Sequence, residues 1–69
     1  MANNIIKFGE KIRKLRENRK LTQEELAYQA KIDFSYINQI ENGKRNPTFN
    51  VIEQIANALH VSLKELFSF

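Results

Sequence analysis

Sixty-nine residues make one small domain, and a chain this short buries only roughly 60% of its unfolded surface, so its core is modest. It has no cysteine and a single histidine, which excludes a disulfide framework and the usual zinc clusters; no metal and no cofactor are expected. The formal net charge of +3 favours an anionic partner, and the whole basic excess lies in residues 1–20, with seven Lys or Arg against two Glu.

Asn3 or Asn4 is placed to cap a first helix, whose apolar stripe is Ile5, Phe8, Ile12 and Leu15 at spacings of three and four. Its outer face carries Lys7, Lys11, Arg13, Lys14, Glu17 and Lys20. Those charges solvate an exposed helix first and attract a polyanion second. Gly9 inside the pattern costs roughly 1 kcal/mol against Ala. A close helix crossing would require it, which the sequence alone does not reveal.

Thr22-Gln23-Glu24-Glu25 is a capping box, with Thr22 as N-cap and Glu25 reaching back from N3. Leu26, Ala27 and Ala30 line the inner side of this second helix, and the small Ala27 admits a close neighbour. Only Lys31 and Ile32 separate Ala30 from Asp33, the short turn of a helix-turn-helix unit over about residues 22–43.

Asp33 reads as the N-cap of a third helix, Ile37 and Ile40 as its buried stripe and Gly43 as its left-handed stop. Phe34, Ser35, Tyr36, Asn38, Gln39 and Asn42 remain on the other side, a polar face without Lys or Arg. Lys44 and Arg45 follow at once in the loop. Amides and hydroxyls on one helix face suit base edges, and cations beside them suit phosphates. A solvated helix face is the plain alternative.

Asn46-Pro47 breaks the chain, and Thr48 caps a fourth helix with Phe49, Ile52, Ile55, Ala56 and Leu59 facing inward. His60 falls at its C-terminal end, where a cation complements the dipole. Ser62 with Glu65 forms another capping box, opening a short fifth helix that holds Leu63, Leu66 and Phe67. Strands have no candidate. The expected fold is all-α, five short helices around one core, in a single domain over residues 1–69. With no signal-peptide pattern and no apolar run long enough to span a bilayer, the expected location is the cytoplasm, with no membrane partner.

Thr22 to Ala27, then Ile37, Ile40 to Gly43, Pro47-Thr48 and Ala58 to Ser62 together resemble the Cro/C1-type helix-turn-helix repressors, the XRE-like regulators of bacteria and phages. The likeness covers about residues 6–67. Tyr36-Ile37, Glu41 and Arg45-Asn46 also look like the controller proteins of restriction–modification systems. The resemblance implies a lambda-repressor-like DNA-binding domain whose third helix, Phe34–Asn42, lies in the major groove. By the same resemblance Gln23 is a phosphate contact, and Phe34, Ser35 and Gln39 fall where bases are read. Phe34 cannot hydrogen-bond a base; it either packs on a thymine methyl or turns inward to the core. Tyr36, Asn38 and Asn42 are candidates for phosphate or mixed contacts, and Lys44 and Arg45 for the backbone, Arg45 with the option of entering a groove.

In that family an arginine on the first helix pairs with the acid at Glu41, and Arg16 matches its position. Arg16 and Glu41 are therefore expected as an internal, partly buried clamp rather than as DNA contacts. A homodimer is expected, and its two-fold symmetry requires a pseudo-palindromic operator. Val61, Leu63, Leu66, Phe67 and Phe69 are more apolar surface than a terminal helix needs, and form the expected dimer face. Glu24 is the candidate contact to the sigma subunit of RNA polymerase, if the regulator activates. A protein-interaction module or an antitoxin of the same fold is the competing reading, while an enzyme lacks the inventory: no cysteine, no His–carboxylate cluster, no Gly-rich phosphate loop.

Overall fold

The computed structural model describes residues 2–69 as five α-helices: α1 Ala2–Asn18, α2 Gln23–Ala30, α3 Phe34–Glu41, α4 Phe49–Leu59 and α5 Leu63–Leu66. α1 packs on α3, α2 on both α3 and α4, and α5 closes against α1 and α4. The core is aliphatic. Ile12, Leu26, Ile37, Ile40, Ile55, Leu59 and Leu66 are fully buried, with Phe8, Ala27, Ala30, Ala56 and Ala58 beside them.

The local signals act as follows. Thr22 accepts from the Glu25 amide at 3.0 Å while the Glu25 carboxylate accepts from the Thr22 amide at 2.8 Å, a complete capping box. Thr48 and Ser62 accept from Val51 and Glu65 amides and start α4 and α5. The second box is only half made, because the Glu65 carboxylate pairs with Lys11 at 3.1 Å instead. Asp33 occupies the N-cap position of α3 without a side-chain capping bond. α1 begins before the expected caps, so Asn4 lies inside it; the side chain of Asn3 lies outside the described residues. Phe49, expected inward, is 61% exposed. It is the first residue after the Thr48 cap, and that position of α4 faces away from the bundle.

Four helices stop in one manner. Lys20, Lys31, Gly43 and His60 take φ of 59°, 60°, 70° and 58°. After each, the next amide reaches back to the helix: Leu21 to Arg16 O, Ile32 to Ala27 O, Lys44 to Gln39 O and Val61 to Ala56 O, at 2.9–3.1 Å. Only Gly43 does so without a Cβ. Lys31 therefore holds the left-handed geometry of the turn, at a cost of roughly 1 kcal/mol relative to glycine. His60 has the same architectural role at the end of α4.

Gly9 marks a close crossing of α1 and α3. A Cβ there would overlap the Ile40 carbonyl oxygen and meet the Glu41 carbonyl oxygen at 3.0 Å. The missing side chain lets α1 lie directly on the C-terminal carbonyls of α3, which brings the rest of α1 within reach of Glu41.

Candidate nucleic-acid interface

The α3 segment that buries Ile37 and Ile40 also buries Glu41, whose side chain is 0% exposed. Arg16 forks onto it, Nε to Oε2 at 2.7 Å and Nη2 to Oε1 at 3.0 Å, and its Nη1 donates to Leu21 O at 2.7 Å. Gln23 Nε2 donates to Oε1 at 2.9 Å and Arg13 Nε to the same oxygen at 3.3 Å. The carboxylate thus accepts four hydrogen bonds, three of them at Oε1 and one at Oε2. Its side-chain hydrogen bonds also push the Arg16 guanidinium above its ordinary basicity. The Arg16–Glu41 pair is partly buried: Gln23 and Arg13 close over the carboxylate, while the Arg16 side chain stays 12% exposed.

Above this anchor lies the outer face of α3. Phe34 is 48% exposed, so it turns outward and not into the core. Ser35, one position on, is exposed as well, and Gln39 follows one turn later on the same strip. Asn38 donates to Gln23 Oε1 at 3.2 Å and accepts from Asn42 at 3.2 Å. Beyond Gly43 the cations diverge. Arg45 lies 4.1 Å over the Tyr36 ring and donates to Gln39 Oε1 at 3.1 Å, while Lys44 extends from the loop into solvent. The Tyr36 hydroxyl accepts from the Thr48 amide at 3.4 Å, joining α3 to the start of α4. The structure therefore gathers Gln23, Asn38 and Asn42 into one group and Tyr36, Gln39 and Arg45 into a second, with Ser35 and Phe34 free at the N-terminal end.

A helix-turn-helix domain family matches residues 9–68. This chain belongs to the Cro/C1-type helix-turn-helix family. It is 47% identical over 64 residues to the Mycoplasma control protein C.MunI, spanning 91% of this chain and 86% of that protein. The restriction-modification controller protein C.AhdI from Aeromonas hydrophila superimposes with a TM-score of 0.92 at 38% identity, over 94% of this chain and 98% of that one. Another such controller, C.Esp1396I bound to a 25 base pair operator site, superimposes at 0.83 and 38% identity over 91% and 83% of the two chains.

Arg13, expected on the solvated face of α1, instead joins Arg16 at Glu41. The signal was present: Arg13 and Arg16 lie three apart and so share one helical face. Glu24 is exposed in the first turn of α2, one turn before Tyr28, which is 86% exposed. Of the expected dimer face, Leu66 is fully buried in the domain's own core and offers nothing to a partner. Val61 and Leu63 are half-buried against that core, and Phe67 stacks on Phe8 at 5.3 Å between ring centres while remaining 48% exposed. Phe69, 52% exposed, joins Phe67, Ile5, Ile52 and Pro47 around an apolar recess of about 320 Å³. No helix among the described residues is long and apolar enough to cross a membrane.

Proposed function

We propose that this protein binds a pseudo-palindromic duplex-DNA operator as a homodimer and regulates transcription from it, with α3 in the major groove. The observation that carries this reading is the α3 face itself: Ser35 and Gln39 in line and amides beside them, on a helix whose rear is fixed by a buried carboxylate. The operator complex of C.Esp1396I supports it, and the likeness to C.MunI and C.AhdI favours a restriction–modification controller, acting in the bacterial cytoplasm at the nucleoid. No catalytic step and no cofactor enter. A protein-partner or antitoxin role fits less well, since an outer face built of amides, a hydroxyl and cations suits base edges and phosphates better than an apolar groove.

Dimerisation is assigned to the C-terminal surface of Val61, Leu63, Phe67 and Phe69, leaving half-sites about 34 Å apart. Selecting bound sequences from a random duplex library, with sedimentation of the protein free and on the selected DNA, tests both parts. A palindromic consensus and a two-to-one complex are expected. A monomer at high concentration in both states removes the dimer, and the absence of any enriched sequence removes the DNA reading.

Within this site Ser35 and Gln39 read bases, Phe34 packs on a thymine methyl, and Gln23, Tyr36, Asn38, Asn42 and Lys44 hold the backbone. Arg45, laid over Tyr36, is presented beside Gln39 at the groove edge. Gln39→Ala should lose about 1–3 kcal/mol at its own base pair and flatten the preference there, with the salt slope unchanged. Lys44→Ala should weaken operator and random DNA alike and lower the slope by about 1. Binding to operator, single-base variants and random duplex across a salt series distinguishes them; identical behaviour of the two variants rejects the division of roles.

Glu24 is assigned to RNA polymerase, because it points outward beside the DNA-facing helix while Glu25 is engaged in the capping box. At a promoter the protein activates, Glu24→Gln should reduce activation in a reporter assay and leave operator affinity alone. Loss of both, or of neither, removes the assignment.

A further inference from the structure

Five side chains, from α1, α2 and the C-terminal half of α3 with its cap Asn42, close a ring that runs from the buried Glu41 out to the exposed face of α3. Arg13 Nη2 donates to Asn42 Oδ1 at 3.1 Å, Asn42 Nδ2 to Asn38 Oδ1 at 3.2 Å, and Asn38 Nδ2 to Gln23 Oε1 at 3.2 Å. Gln23 Nε2 then donates to Glu41 Oε1 at 2.9 Å, and Arg13 Nε returns to that same oxygen at 3.3 Å. Every bond runs in one sense, from guanidinium to carboxylate. The two ends dictate this. Arg13 can only donate, so Asn42 must turn its oxygen toward it; ionised Glu41 can only accept, so Gln23 must turn its nitrogen toward it. Between them each amide has one orientation that satisfies both neighbours. Each also keeps one N–H uncommitted, a donor of the kind a phosphate oxygen accepts.

We infer that Arg13 is a positioning residue for DNA binding: it fixes the Asn42 amide, and through it Asn38, so that their free N–H groups face the DNA backbone. The inference rests on the reading of this face as the duplex-DNA site. Arg13 is 42% exposed in its side chain, so a direct phosphate contact is the rival role, and the two roles respond differently to lysine. Lysine keeps the charge and can serve a phosphate, but its single nitrogen lacks the planar fork that spans Glu41 and Asn42.

The experiment compares Arg13→Lys, Asn42→Ala and the double variant with the parent, by binding to the selected operator across a salt series. Arg13→Lys should bind roughly 3- to 10-fold more weakly, the worth of about one hydrogen bond, with an unchanged salt slope. In the Asn42→Ala background the same substitution should cost less than about 2-fold, because its target is gone. The side-chain amide resonances of the free proteins give a readout without DNA: Arg13→Lys should shift Asn42 most, Asn38 less and Gln23 least. Parent-like affinity for Arg13→Lys overturns the inference, as do full additivity with Asn42→Ala and unshifted Asn42 amide resonances. A parent that binds no selected duplex overturns the DNA reading beneath it, and the inference with it.

Discussion

Glu41→Gln is expected to lower the melting temperature by more than any substitution on the exposed face of α3. The carboxylate accepts four hydrogen bonds in a fully buried position, three of its four donors being guanidinium N–H groups. Glutamine replaces one acceptor oxygen with an NH₂ that meets those donors head-on, and leaves the Arg16 guanidinium without its counter-charge. Removing one partner of a buried ion pair costs about 3–5 kcal/mol. In a domain of this size each kcal/mol is worth roughly 4–8 °C. Thermal unfolding followed by circular dichroism reads the loss directly, and DNA binding should fall only through it. A variant that melts like the parent yet fails on operator DNA would make Glu41 a DNA-contacting residue and dissolve the clamp.

Gly9→Ala should also destabilise, with a sign opposite to the helix-propensity expectation. On an exposed helix the change gains roughly 1 kcal/mol. Here the new methyl group would overlap the Ile40 carbonyl oxygen and crowd the Glu41 backbone, which is main chain and cannot rotate aside. α1 must lift from α3, at a cost of about 1–3 kcal/mol for overpacking. The shift also stretches the Arg13 and Arg16 bonds to Glu41. Denaturant titration of Gly9→Ala against a surface Gly-free control such as Glu10→Ala separates the two contributions. A midpoint at or above that of the parent would show that the crossing relaxes freely.

Where a backbone demand and a side chain coincide within one turn, the chain is readable by eye: Thr22, Thr48 and Ser62 cap where expected, and Gly43 stops α3. Most of the failures share a cause, competition from elsewhere in the fold. The carboxylate of Glu65 leaves its box for Lys11, fifty-four positions away, and Leu66 is taken by the core. Phe49 fails differently: it keeps the spacing of three with Ile52 but is the first residue of α4, beyond the packed part of the helix, and stays exposed. Arg13 looked solvated because its partners, Glu41 and Asn42, belong to a different helix. The resemblance to a known family supplied Arg16–Glu41; the residues alone did not.

The helix that faces outward is held from behind by a helix remote in the chain. Arg16 and Arg13 reach Glu41 across 25 and 28 positions, whereas Asn38 meets Gln23 across 15. Closing the longer loops costs more chain entropy before any contact repays it, so α2 and α3 are expected to associate early in folding and α1 to dock late. Stopped-flow kinetics of Arg16→Met should then show faster unfolding with little change in the refolding rate, the mark of an interaction absent from the transition state; slowed refolding would place α1 in the nucleus. Until α1 docks, the Glu41 carboxylate lacks its arginines and carries bare negative charge at the end of α3. In a half-folded chain that carboxylate would therefore stand uncompensated at the end of the helix that the docked α1 later steadies.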